Sequence, residues 1–467
     1  MSTRRVALAD VSRAALPGRC GTSRSRQAGR GRPAAGEDAR LTLLAVILVS
    51  LLWLPLRAQQ QDTLHLTLHQ AENIAIQNNP QVSAARFNAE AYREIPKELR
   101  SNYQPTVFGS VTGVGAADGS RIAAGALNNP IIYNRFASGI GVSQLITDFG
   151  RTANLIGSAQ SHAAAQQENS NATRANVLLT VDSAYFSLLR AQSVLQVAQQ
   201  TVTARQLVAY QISTLAQNGL KSQLDVSFAN VNLADAKLLL ASAENDLQAS
   251  KAILATAIGY PNQRDFVLAD EPMPDAPPAD DRSLLADAIN NRPELASLHY
   301  EQEAANRYVK AERDLWMPSI STVASIGLVP MGVAELQNQY GAVGVNVNFP
   351  VFNGGLFKAR RTEAEFRART AEENTKDLQN RIIRDVQVAY LNASTGYERL
   401  SLTLKLLEQA RLALDLAQSR YNLGLGSIVE LSQAQLNLTS AQIANTNARY
   451  DYQTEWSALQ FQIGALR

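Results

Sequence analysis

His65 and His69 stand four residues apart, a spacing that puts two imidazoles on one face of a helix as a metal pair does. No third ligand and no HExxH context accompanies them, and His162 and His299 are isolated, so neither metal nor cofactor is expected. The single cysteine is Cys20. With no nucleophile-and-base pair to read, the chain is not expected to be an enzyme. Two carboxylates have a more telling placement. Asp225 and Glu430 each lie six residues beyond a glycine, Gly219 or Gly424, and a leucine follows each glycine, Leu220 or Leu425. Exposed acidic residues on helices are mostly just solvated. These two occupy equivalent places in a chain that is written twice.

Shifting the sequence by 205 residues lays Gly141–Gly259 over Asn346–Gly464 without a gap, with 25 of 119 positions identical. Tyr185 falls on Tyr390, Ser222 on Ser427, and Ile258-Gly259 on Ile463-Gly464. An upstream stretch repeats at an offset of 213, with Pro80 over Pro293 and Tyr103 over Trp316. Duplication of whole supersecondary units predicts pseudo-symmetric packing of two similar halves. The halves are expected at 59–259 and 282–467, joined by a Pro/Asp-rich linker at 260–281.

Residues 1–58 read as a secretory leader. Ten arginines flank or precede the apolar run Leu41–Leu56, and Ala58 supplies a small residue for cleavage. Its loss would remove Cys20 and shift the net charge from +2 to about −5, which leaves no case for nucleic-acid binding.

The elements that position the two carboxylates follow from periodicity. Leu64–Leu99 and Leu284–Leu315 are helical in pattern, with Pro80 and Pro293 suited to a first helical turn. Strands are expected at about 105–115 and 136–146, and again at about 318–329 and 340–352, with hairpin loops at Ala116–Arg135 and Pro330–Gln339. Their length suits tilted membrane-spanning strands of roughly 9–11 residues. Phe108, Tyr133, Phe136, Tyr340, Phe349 and Phe352 are candidates for a membrane interface. Long helices follow, with Asp148 and Asn353 as expected N-caps. Val177, Val181, Ala184, Leu188, Ala191, Leu195, Ala198 and Val202 make a heptad seam with alanine alternating against larger residues. Gly219 and Gly424 break the helices, and return helices run over Ser222–Ile258 and Ser427–Ile463. The fold class is therefore mainly α, with long antiparallel coiled-coil helices and a small β part. Four strands cannot close a barrel, and an open edge cannot sit in lipid, so other subunits must complete them. Three copies would give twelve strands.

The chain resembles the TolC-like outer-membrane efflux protein family. The residues that carry the likeness are LTLHQAENIAIQNNPQV (Leu66–Val82), YQP at Tyr103–Pro105 with its echo WMP at Trp316–Pro318, and the turns QLITDFGR (Gln144–Arg151) and FPVFNGGL (Phe349–Leu356). The tip motifs are QNGLKSQLDV (Gln217–Val226) and YNLGLGSIVEL (Tyr421–Leu431). The resemblance implies a homotrimer in the outer membrane of a Gram-negative-type cell. Its twelve strands would form a β-barrel in outer-membrane lipid, and its helices an α-helical barrel extending into the periplasm. A periplasmic adaptor protein and an inner-membrane pump would be its partners, and the channel itself would be a passive exit duct.

Site residues follow from the same resemblance. Gly219, Leu220, Ser222, Gly424, Leu425 and Ser427 would form the adaptor-docking tip. Asp225, Glu430, Tyr421 and Lys221 would form a periplasmic gate, with Tyr421 bonded across to Asp225. The sequence departs from the family at Gly426, where a basic residue is common, and at Gln433, where the family has a second acid. A rearranged or missing ionic lock is the expectation. The alternatives are the exit duct of a type I protein secretion system and a periplasmic coiled-coil scaffold or adaptor without a pore. The alternating strands argue against the latter.

Overall fold

Side-chain caps start four of the eight described α-helices, those opened by Thr67, Asn79, Ser222 and Ser427. In the computed structural model, which describes residues 64–115, 117, 134–262, 264–331 and 337–466, Thr67 closes a capping box with Gln70 to open α1 (Leu68–Asn78). Asn79 caps α2 (Pro80–Arg100), with Pro80 in its first turn. The second repeat has the same pair of helices, α5 (Arg282–Asn291) and α6 (Pro293–Arg313), with Pro293 again in the first turn but no side-chain cap on either. The expected leader with Cys20, most of the first hairpin loop, half of the second, and Tyr133 lie outside the described residues.

The strands are β2 (Thr106–Val114), β3 (Arg135–Thr147), β5 (Ser319–Met331) and β6 (Gln339–Asn348). They form one antiparallel sheet in the order β2-β3-β5-β6, so the two repeats meet at its centre and β2 and β6 are its edges. Register places Val107 beside Val142, Ile140 beside Ile326 and Ala324 beside Val343. Alternation then puts Val107, Val111, Ile140, Ile326, Val343 and Val345 on one face, all exposed. The other face carries Ser110, Gly139, Gly141, Ser143, Ser325 and Gly344, with Phe108 lying over Gly141 and Tyr340 over Gly139 and Gly327. One apolar and one small, polar face is the pattern of a strand set between lipid and a lumen.

From the sheet run α3 (Arg151–Gln217) and α7 (Leu356–Asn422), both 67 residues long, and each returns as a 35-residue helix, α4 (Gln223–Ala257) or α8 (Ile428–Gln462). At 1.5 Å per residue the longer ones span about 100 Å. Of the heptad seam, Val177, Val181, Ala184, Leu188, Ala191 and Ala198 are buried, while Leu195 and Val202 are half-buried. Among the described residues, no helix is long and apolar enough to cross a membrane.

The structure corrects several expectations. Leu64–Leu66 is a strand, β1, which pairs in parallel with β4 (Phe266–Leu268), so the linker is built into the fold. Strand β6 ends at Asn348, four residues early, because Pro350 lacks the N–H that a ladder needs. The N-caps of α3 and α7 are Gly150 and Gly355, whose left-handed φ of 108° and 84° makes the turn, rather than Asp148 and Asn353. Asp148 still holds the helix start, its Oδ2 accepting from Thr152 N at 2.8 Å. His162 is not isolated: its Nδ1 lies 2.7 Å from Glu301 Oε2, and that bond raises its pKa.

Candidate functional site

Both hairpin tips are built alike. Gly219 (φ 74°) and Gly424 (φ 75°) take the left-handed conformation that closes a helix C-terminus. Leu220 N donates to Leu215 O at 2.9 Å, and Leu425 N to Arg420 O at 2.8 Å, so the same turn is made twice. Ser222 and Ser427 then cap the return helices, accepting from the backbone N–H of Asp225 at 3.2 Å and of Glu430 at 3.1 Å. The turns leave Leu220, Leu224, Leu423, Leu425 and Val429 exposed. Apolar side chains gathered at one exposed end are a surface that favours contact.

The two carboxylates diverge from there. Asp225 folds back on its own cap, accepting from Ser222 N at 3.1 Å and Ser222 Oγ at 3.0 Å. Glu430 is held instead by Arg420, whose Nε donates to its Oε1 at 3.0 Å, while Arg420 Nη2 donates to Leu425 O at 3.2 Å. Gly426 is explained by the same arrangement. A Cβ there would lie 3.2 Å from Glu430 Oε2 and 3.3 Å from Arg420 Cβ. Glu430 takes its cation from Arg420, one turn before the break. Nothing in the local motif marked Arg420, because its helix phase, not its distance in sequence, brings it to Glu430.

The tips also pack on each other. Ile212 and Val226 of the first repeat form one buried cluster with Tyr421, Ile428 and Leu431 of the second. Lys221 Nζ sits 4.1 Å from the centre of the Tyr421 ring, a cation–π contact between hairpins. The bond expected from Tyr421 to Asp225 is not made within the chain: Tyr421 Oη is buried without a partner, and the Asp225 carboxylate is taken by its cap. Further along the hairpins, Asn232 Nδ2 donates to Ser432 Oγ at 2.8 Å, and Arg205 donates to Gln435. Burial lowers the pKa of Arg205.

A second junction between repeats lies in the middle of α3, and no motif announced it. Tyr185 is fully buried, its Oη 2.6 Å from Ala269 O and 3.0 Å from Leu66 O, which ties β1 and the linker to the helix. Gln453 Nε2 donates to Glu271 O at 3.1 Å, and Arg190 Nη1 to Asp451 Oδ1 at 2.9 Å. Asp182 is 1% exposed; burial and the neighbouring Glu72 charge push its carboxyl up to about 7, against a lowering hydrogen bond from Ser457. Among the described residues, no group of three or more His, Cys, Asp or Glu could hold a metal.

Comparison with known proteins agrees with this architecture. The model of the family "Outer membrane efflux protein" matches residues 72–260 and 284–465. The solvent efflux pump outer membrane protein SrpC of Pseudomonas putida is 25% identical over 386 residues, covering 81% of this chain and 80% of its own. The alkaline protease secretion protein AprF of Pseudomonas aeruginosa is 25% identical over 418 residues, covering 87% and 86%. The Campylobacter jejuni CmeC outer membrane channel superposes with a TM-score of 0.72 at 19% identity, covering 85% of each chain.

Proposed function

The chain belongs to the outer membrane efflux protein family, a family of channels rather than enzymes, and we propose that three copies of it form the exit duct of a tripartite efflux system. The apolar sheet face meets outer-membrane lipid, and the small, polar face lines the pore. The long helices carry the duct into the periplasm. At their far end Leu220, Leu425 and the caps Ser222 and Ser427 receive a periplasmic adaptor, which couples the duct to an inner-membrane pump. The duct is passive and needs no cofactor.

The observation that carries this reading is the four-stranded sheet itself: apolar on one face, with β2 and β6 left as edges in a single chain. Unpaired edges in lipid are too costly to persist, so closure by further copies follows. The tip is the gate. Its two hairpins are held by the Tyr421 cluster and by Lys221 on the Tyr421 ring, contacts that are small or exposed and can be exchanged for contacts with a partner. Arg420–Glu430 stiffens the second tip locally.

A crosslink tests the gate. Lys221→Cys with Tyr421→Cys, joined by a short bridge, should block export in living cells and recover it on reduction. Full export with the bridge formed would sink the gating role. The duct of a protein-secretion system is the second reading, favoured by the equal identity to the alkaline protease secretion protein. Export of a small dye by the chain with one pump, against secretion of a protein with another, separates the two.

A further inference from the structure

Where the sheet gives way to helices, the second repeat has an apolar turn followed at once by cations. Phe349 continues the two-residue spacing of Val345 and Val347, and all three are exposed. Val351 and Phe352, at 82% and 87% exposure, are the most exposed large apolar side chains among the described residues. Trp316, also exposed, stands edge-on to Phe357 with ring centres 5.6 Å apart. Helix α7 then opens on residues 356–361, LFKARR, with Lys358, Arg360 and Arg361 exposed and no acid among them. Arg361 pairs with Glu365 at 2.8 Å, while Lys358 and Arg360 have no ion pair among the described residues. The neighbouring helix ends add charge. Lys310 and Arg313 lie in the last turn of α6, which packs on α7, and Lys97 and Arg100 match them in α2, 213 residues earlier. Arg313 leans on Asp314 and Lys97 on Glu94. Cations at those C-termini suit the helix dipole, but the three that open α7 oppose it. The shared fold does not require them either, because 205 residues earlier the same places hold Ala153, Leu155 and Ile156.

We propose that the cations opening α7 bind the phosphate headgroups of anionic phospholipid, in the membrane leaflet next to the helices. This rests on the reading of the apolar sheet face as lipid-facing. Depth supports it. A bilayer of about 40–45 Å around a hydrocarbon core of about 30 Å leaves a polar layer of about 5–7 Å on each side. With Trp316, Phe349 and Phe352 at the edge of the hydrocarbon, Lys358 lies about 3 Å and Arg360 about 6 Å along the helix from Leu356. That is headgroup depth, and the long stem of Arg361 lets its charge reach the same layer. Guanidinium groups donate in a fork to phosphate oxygens, and the Lys358 ammonium meets them as a point charge. A zwitterionic headgroup brings its own cation to the same phosphate, so net-anionic lipid is preferred.

Tryptophan quenching in vesicles tests the headgroup preference. The chain has three tryptophans, so Trp53→Phe with Trp456→Phe leaves Trp316 as the reporter beside the cations. In phosphatidylcholine vesicles, brominated phosphatidylglycerol should quench Trp316 with an association constant at least fivefold above that of brominated phosphatidylcholine, about the effect of one cation at an anionic surface. Lys358→Gln, Arg360→Gln and Arg361→Gln together should bring that ratio close to one. Arg369→Gln with Lys376→Gln, about 20–30 Å along α7, should leave it unchanged. If the triple variant fails to insert, Lys358→Gln and Arg360→Gln singly should each at least halve the ratio. A ratio near one in the parent, or a ratio that the variants at the start of α7 leave unchanged, overturns the proposal. An equal loss from Arg369→Gln with Lys376→Gln overturns the placement at headgroup depth. A preference abolished by inorganic phosphate, but not by chloride at equal ionic strength, overturns lipid as the occupant in favour of free phosphate. Trp316 left unquenched by either lipid overturns the lipid-facing sheet itself.

Discussion

The two repeats meet at the middle of α3 and again at the tips, and the two junctions are made of different chemistry. The middle one is buried and hydrogen-bonded: Tyr185 and Tyr452 are fully enclosed, and Gln453 and Asp182 are 1% exposed. The one at the tips is a small apolar cluster edged by contacts that water reaches, with Arg420 and Glu430 side chains 56% and 44% exposed. Buried polar networks are costly to break once formed, while exposed ion pairs contribute little. That division suits the proposed duct, in which the wall is held while the end opens.

Breaking the middle junction should therefore damage the fold, and breaking the tip should change the gate. The largest effect is expected from Tyr185→Ala, which removes a large buried ring and destabilises by about 3–5 kcal/mol. A thermal melt followed by circular dichroism reads it; a negligible shift would mean that the junction is not the anchor. Next comes pH. Asp182 keeps its proton up to about 7 when folded but ionises near 3.8 when unfolded. Between those values the folded state binds more protons, so stability should fall as pH rises from about 4 to 7. Asp182→Asn should flatten that slope, a swing on the order of a few kcal/mol.

The tip variants should cost far less stability. Lys221→Gln removes a cation–π contact, roughly 0.5–1 kcal/mol, and should raise leak of a large antibiotic through the outer membrane without lowering the melting temperature measurably. Arg420→Gln removes an exposed ion pair and should change stability by less than about 1 kcal/mol, with the difference vanishing in high salt. A tip variant that melted like Tyr185→Ala would erase the contrast between the junctions.

How much was legible follows the same division. The strands, the caps at Ser222 and Ser427, and the glycine turns are set by neighbours in sequence, and alternation, breakers and offsets display them. The docking of the linker, Arg420 on Glu430, and Tyr185 between Leu66 and Ala269 are contacts across 10 to 203 residues, set by helix phase and packing. Gly426 shows the limit well. That position 426 carries no cation is plain from the sequence, but that Arg420 meets Glu430 is not, because Arg420 lies on the other side of the break. Asn353 failed as a cap for a related reason: Gly354 and Gly355 make the turn themselves, with φ of 62° and 84°.

Single-channel recording across a planar lipid bilayer tests the gate most directly. Purified protein with Lys221→Gln and Tyr421→Ala should conduct in steps several times larger than the unaltered protein, because the two hairpins no longer hold each other. Steps of unchanged size, from variant protein inserted as well as the parent, would contradict a gate at the tips.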